Sequence, residues 1–223
     1  MTYKAVIFDL DGTLLDTLED LGNAGNRVLT ARGFPTHKID AYRYFIGDGA
    51  TTLITRALPE EKRSAEIIST CLEEYRQDYG RNWNVNTKPY DGVVEMLDAL
   101  VVHGFKLAIL SNKPHEFTKL CVSGLLSKWT FDAVLGQLEP IPRKPDPAGA
   151  LKIAGELKIP PSGFLYLGDT AIDIKTAIAA GMFPVGVLWG FRPAEELQQS
   201  GAKVLIKRPM DIMNILNTKS IPT

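Results

Sequence analysis

The feature that most constrains the fold is a short apolar run near the start of the chain, Ala5, Val6, Ile7 and Phe8, which empties directly into Asp9, Leu10, Asp11 and Gly12. A run this short, closed by a glycine, reads as a buried strand covered on both faces, the position of a central strand in a parallel sheet. Open α/β sheets bind ligands just beyond the carboxyl ends of such strands. Asp9 and Asp11 project to the same side of an extended segment, and carboxylates that close repel unless a cation or a shared proton lies between them. Taken alone, Asp-x-Asp-Gly is also ordinary turn chemistry. An EF-hand calcium loop fails on spacing, because counting from Asp9 the chain offers Leu14 and Asp20 where that loop requires glycine and glutamate.

Residues 17 to about 83 change character and read as helices separated by turns. The clearest spans 60–79, with Ile67, Ile68, Cys71, Leu72 and Tyr75 on one face and Pro59 and Gly80 punctuating its ends. From residue 90 helix and strand alternate. The pattern predicts helices at 91–103, 115–124, 147–157, 171–180 and 210–217, and strands at 105–110, 132–135, 164–167, 184–188 and, weakly, 203–206. Alternation of this kind means right-handed crossovers and a doubly wound, parallel, Rossmann-like α/β sheet. The predicted domains are an α/β core of residues 1–16 and 84–223 and a helical insertion of residues 17–83.

Polar residues fall where such a sheet places its chemistry. After Leu110 come Ser111, Asn112, Lys113 and Pro114, whose hydroxyl and amide suit an anion such as phosphate and would equally cap a helix. Lys144 stands in Arg-Lys-Pro-Asp-Pro, where flanking prolines restrict the backbone and let an ammonium be aimed. After Leu167 come Gly168, Asp169 and, four residues on, Asp173. With Asp9 these acids build an oxygen-rich site of the kind Mg²⁺ prefers, although Asp169 could instead cap the next helix.

The four motifs, in this order, resemble those of the haloacid dehalogenase-like hydrolases: Asp9-x-Asp11-Gly12-Thr13, Ser111, Lys144-Pro-x-Pro and Gly168-Asp169 with Asp173. The resemblance covers the whole chain. It implies Asp9 as nucleophile, Asp11 as acid/base, Lys144 as the charge-neutralising catalytic lysine, and Ser111 and Asn112 on the phosphate, with Thr13 orienting the loop beside it. It also implies Mg²⁺ held by Asp9, Asp169 and the backbone carbonyl of Asp11, with Asp173 behind them holding metal waters. The inserted helices resemble the small helical cap of these enzymes. Its loop, with Gly47, Asp48 and Gly49 as candidate substrate contacts, is similar to that of phosphoglycolate phosphatases. The expected activity is Mg²⁺-dependent hydrolysis of a small phosphomonoester, phosphoglycolate first, through an aspartyl-phosphate. A β-phosphoglucomutase-like mutase, a pyrophosphatase or a 5′-nucleotidase are alternatives with the same core motifs, and a receiver-like phospho-acceptor is a non-enzymatic one.

Composition narrows the partners. With 25 basic and 26 acidic residues in 223, there is no electrostatic case for nucleic acid or a membrane surface. Cys71 and Cys121 are far apart without nearby metal-ligand spacing, so they read as core thiols of a cytoplasmic protein. The expected partner is a small phosphorylated metabolite; the oligomeric state is left open.

Overall fold

The computed structural model describes residues 3–217. Eight strands and nine α-helices alternate along it: β1 Ala5–Phe8, β2 Leu15–Asp16, α1 Leu18–Ala31, α2 Ala50–Ala57, α3 Ala65–Asn82, β3 Lys88–Pro89, α4 Val93–Val102, β4 Lys106–Pro114, α5 His115–Leu125, β5 Ala133–Gln137, α6 Ala148–Leu157, β6 Phe164–Gly168, α7 Ala171–Ala179, β7 Phe183–Val187, α8 Ala194–Gln199, β8 Val204–Ile206 and α9 Ile212–Asn217. Six strands form one parallel sheet in the order β5-β4-β1-β6-β7-β8, the doubly wound α/β architecture expected. Among the described residues no helix is long and apolar enough to cross a membrane.

The two-residue period of a strand explains the layering. Val6 and Phe8 face one side of β1 and pack with Met96 and Leu97 of α4, Cys121 of α5 and Ile212 of α9. Ala5 and Ile7 face the other, against Ala150 and Ile153 of α6 and Ala177 of α7. β1 therefore lies in the middle with all four residues buried. Its register sets the site: Phe8 pairs with Ile109 on β4 and Leu167 on β6, so Asp9 just past β1 comes within one residue of level with Ser111 in β4 and Asp169 just past β6.

The helical insertion leaves after β2 and returns at β3, and these two short strands pair antiparallel, so exit and re-entry run side by side. Asp20 in the first turn of α1 clamps the pair: it accepts from the backbone N–H of Asn86 (2.9 Å) and Thr87 (2.8 Å) and from the Thr87 hydroxyl (2.7 Å). The insertion has its own core of Leu21, Val28, Tyr42, Leu53, Tyr75 and neighbours, joined by Phe191 from the α/β part.

Several boundaries differ from the periodicity reading. α3 begins only after Ser64, whose hydroxyl caps it by accepting from Ile67 N–H, while 60–62 form a separate 3-10 turn. Gly80 does not end the helix, which continues to Asn82 despite glycine's low helix propensity; a Cβ there would make ordinary contact with the Phe117 ring of α5. β4 runs on to Pro114 through a register shift against β5. α8 has one buried residue, Leu197, and so shows no apolar periodicity to read.

Candidate active site

The loop after β1 turns back on itself, with Leu14 and Leu15 N–H both donating to Leu10 O at 3.0 Å. Gly12 is left-handed (φ 83°), and a Cβ there would run into the Asp169 carboxylate; Gly190 faces the same group from the other side. Glycines at both positions let backbone approach a carboxylate that side chains would displace. Thr13, expected to orient this loop, donates its buried hydroxyl to Asp169 Oδ1 (3.0 Å), and Phe191 N–H donates to Oδ2 (2.8 Å).

Asp9, Asp169 and Asp173 come together with carboxylate oxygens within 4.8 Å of one another, all three buried. Lys144 Nζ lies 2.9 Å from Asp9 Oδ1 and 2.6 Å from Asp173 Oδ1. Three carboxylates thus face one ammonium. Burial and then the neighbouring Asp173 push Asp9 up to about 7, against the pull of Lys144. Burial and the same like charges drive Asp169 well above the usual carboxylate range. Burial works against the Lys144 ammonium too, but Asp173 and Asp9 more than offset it and hold its pKa well above that of an ordinary lysine. An all-oxygen donor set carrying surplus negative charge fits a hard divalent cation. Asp173 is committed elsewhere: Oδ1 to Lys144, Oδ2 to the N–H and hydroxyl of Thr170 in a capping box that starts α7. Asp169 accepts one hydrogen bond on each oxygen and Asp9 takes both of its contacts on Oδ1, so Asp9 Oδ2 and the second lone pairs of the Asp169 oxygens are what a cation would meet.

The extension of β4 carries Ser111, Asn112 and Lys113 into the site, all buried. Ser111 lines the pocket in front of Asp9, its Oγ accepting from Lys113 N–H at 3.3 Å. Asn112, read as a phosphate ligand, is fully engaged with backbone: its Oδ1 accepts from Lys144 N–H (2.9 Å) and its Nδ2 donates to Lys144 O (3.1 Å) and to Gly47 O of the insertion (3.0 Å). It holds Lys144 and the inserted loop in place. Lys113 was not singled out from the sequence. Its ammonium meets both oxygens of Asp11 (3.0 and 3.2 Å) and donates to the Tyr79 phenol of α3 (2.8 Å), lying 4.6 Å from that ring's centroid. Asp11 is thereby held by Lys113, and Asp9 by Lys144. Nothing in the run Ser-Asn-Lys-Pro marks that lysine as buried; only the covering helix does.

The insertion roofs the pocket with Leu21, Ile46, Ala50, Leu53, Tyr75 and Tyr79. Gly47 (φ 118°) and Gly49 (φ 91°) line it as backbone. Asp48 instead pairs with Arg56 at 2.6 Å. Two arginine contacts fasten the roof to the core: Arg43 donates to Gly190 O (3.1 Å) and Arg192 to Ile46 O (3.0 Å).

Residues 6–187 match the family model described as haloacid dehalogenase-like hydrolase. The chain belongs to that family. A phosphoglycolate phosphatase of Xylella fastidiosa (strain 9a5c) is 36% identical over 208 residues, 92% of this chain and 90% of the relative. One from Thiobacillus denitrificans is 32% identical over 200 residues, 87% and 88% of the two chains. A solved structure from Lactobacillus delbrueckii subsp. bulgaricus, described as a candidate phosphoglycolate phosphatase, superposes with a TM-score of 0.91 at 30% identity, covering 98% of this chain and 100% of that one. The protein is thus an enzyme, a hydrolase of the phosphatase branch that these relatives represent.

Proposed function

We propose that this hydrolase is a Mg²⁺-dependent cytoplasmic phosphatase that cleaves a phosphomonoester with a short leaving group, phosphoglycolate first, through an aspartyl-phosphate on Asp9. The observation that carries the reading is the state of Asp9. Its Oδ1 is held by Leu10 N–H (2.7 Å) and Lys144 (2.9 Å), so the carboxylate is fixed in direction at the floor of the pocket and Oδ2 is left to attack.

In the first half-reaction Asp9 Oδ2 forms a bond to phosphorus as the bond to the ester oxygen breaks; Asp11, ion-paired with Lys113 in the free site, takes up a proton from solvent as the substrate binds and gives it to that oxygen. In the second, Asp11 takes a proton from water, whose oxygen bonds to phosphorus while the Asp9–phosphorus bond breaks and phosphate leaves. Lys144 offsets the charge that makes one anion a poor nucleophile toward another, and Ser111 offers a hydroxyl to a phosphoryl oxygen. Mg²⁺, held by Asp9, Asp169 and the Asp11 carbonyl, would supply further neutralisation of the phosphoryl oxygens. The insertion serves as a cap that excludes water while the ester is cleaved.

The roof bears on the substrate. Among the described residues its pocket-lining side chains are aliphatic, two tyrosines and Arg76. Such a wall leaves most hydroxyls of a sugar without partners, a penalty of about 1–3 kcal/mol for each one desolvated. That favours a short leaving group over a sugar phosphate, and hydrolysis over the mutase alternative. The relatives' activity toward phosphoglycolate agrees with it.

Phosphate release should be measured from phosphoglycolate, pyrophosphate, glucose 6-phosphate and nucleoside monophosphates, with and without Mg²⁺. The expected result is repeated turnover with phosphoglycolate preferred, abolished by chelator and by Asp9→Asn. Folded, Mg²⁺-loaded protein that turns over none of them would sink the reading, and a preference for the sugar phosphate would sink its substrate class.

A further inference from the structure

The mechanism above leaves one buried cation in the pocket without a task. Lys113 and Arg76 are the two basic residues among those lining the cavity; Arg76 is exposed, whereas the Lys113 side chain is 3% exposed. A buried ion pair is a poor source of stability, because desolvating both charges cancels most of their attraction. The pair of Lys113 with Asp11 therefore invites a functional account. We infer that Lys113 is a specificity-determining residue: it receives a carboxylate carried by the leaving group, and so selects doubly anionic substrates over neutral esters. This deepens the phosphatase reading and rests on it.

Position supports the assignment. Asp11 serves the ester oxygen in the proposed reaction, and the Lys113 ammonium lies 3.0 Å from Asp11 Oδ1. A carboxylate two bonds beyond the ester oxygen falls beside that same ammonium. A longer chain would carry its charge past Lys113 into a cavity lined by Leu21, Leu53 and Phe117, where the exposed Arg76 is the one other basic residue described. One N–H shared between the two Asp11 oxygens and one given to Tyr79 leave a third for the ligand. Lys113 is also fixed in advance: the Tyr79 ring under it and the phenol beside it limit its rotamers, so little ordering entropy is lost on binding. Because Tyr79 belongs to the insertion, the carboxylate site is complete only with the roof in place.

The test compares phosphoglycolate with ethyl phosphate, the same two-carbon leaving group without the carboxylate, for the native enzyme, Lys113→Gln and Tyr79→Phe, all Mg²⁺-loaded. A charge-assisted contact predicts a native preference in kcat/KM of roughly 10- to 100-fold for phosphoglycolate. Lys113→Gln should lower both rates, since Asp11 loses its partner, but bring their ratio to within about threefold of one, and should abolish competitive inhibition by glycolate. Should that variant fail to fold, Tyr79→Phe keeps the charge and releases its anchor, and is expected to reduce the ratio and weaken glycolate inhibition. An unchanged ratio in a folded variant, or equal native rates on the two esters, overturns the role of Lys113 while leaving the phosphatase intact. No native turnover of any ester would refute the phosphatase reading and this inference with it.

Discussion

Substituting the nucleophile should make the metal-free protein more stable, by an amount that depends on pH. Burial and Asp173 push Asp9 up from 3.8 to about 7. Between those pH values the folded state keeps the Asp9 proton while the unfolded chain has released it. The folded state therefore binds more protons, and unfolding free energy falls as pH rises through the window. At about 1.4 kcal/mol per pH unit, the ionised carboxylate costs the folded, metal-free protein about 4 kcal/mol by pH 8. Asp9→Asn removes that cost with little change of shape: the amide oxygen can stay on Leu10 N–H and Lys144 while the NH₂ turns toward Asp169.

Urea titrations in chelator at pH 4 to 8 would measure it. The difference between variant and native protein reports Asp9 together with the neighbours whose protonation its charge shifts, Asp169 and Lys144. It should be near zero at pH 4 and grow to about 4 kcal/mol in favour of the inactive variant at pH 8. Mg²⁺ at a hundred times its dissociation constant adds about 2.7 kcal/mol to the native protein, and less to the variant that has lost a ligand, so the gap should narrow. A difference that stays flat with pH, or a variant less stable at pH 8, would refute the charge-repulsion argument.

Other parts of the site lead to distinct outcomes. Lys144→Met strands Asp9, Asp169 and Asp173 without a counter-ion, and should cost about 3–5 kcal/mol in chelator at pH 8 and at least about 100-fold in phosphate release; a stable, active variant would contradict the cluster. Asp20→Ala leaves the Asn86 and Thr87 donors of the return strand unpaired, and should cost about 3 kcal/mol in a urea melt at neutral pH. Burial alone would raise the Asp20 carboxyl, but the Thr87 and Asn86 donors outweigh it and hold it below 3.8. Its contribution is thus present above about pH 4 and lost as pH falls through its folded value, and the gap to Asp20→Ala should close in acid. In Gly190→Ala the new methyl meets the Asp169 side chain and Gly12 O, so calorimetry should show weakened Mg²⁺ binding, and turnover should fall with it; native affinity would show that Asp169 is not held where it is described.

The parts that could be read from the chain are those where one residue type in one place has a single physical outlet. Ala5 to Phe8 reads as a strand buried on both faces, and it lies between β4 and β6 with all four residues buried. Acids just past two strand ends and in the helix turn that follows the second are expected to converge, and Asp9, Asp169 and Asp173 do. What could not be read depends on surfaces that arrive from elsewhere. Ser111, Asn112 and Lys113 look like a polar loop because local hydrophobicity reports exposure, yet they extend β4 under the inserted helices. Gly80 carries a stop signal, yet α3 continues through it to Asn82.

Asn112 shows why residue identity and residue role come apart. An amide at the end of a strand offers one acceptor and two donors, the same inventory whether it meets a phosphoryl oxygen or a peptide. The choice is made by Lys144, 32 residues later, whose backbone N–H and carbonyl both reach the Asn112 amide. A second donor contact to Gly47 O then ties the roof to the same group. The amide is thereby removed from the list of phosphate ligands and becomes the part that aims the lysine. Its replacement should perturb catalysis through the position of Lys144, so Asn112→Asp, which keeps the acceptor for Lys144 N–H and loses both donors, should lower kcat more than it raises KM.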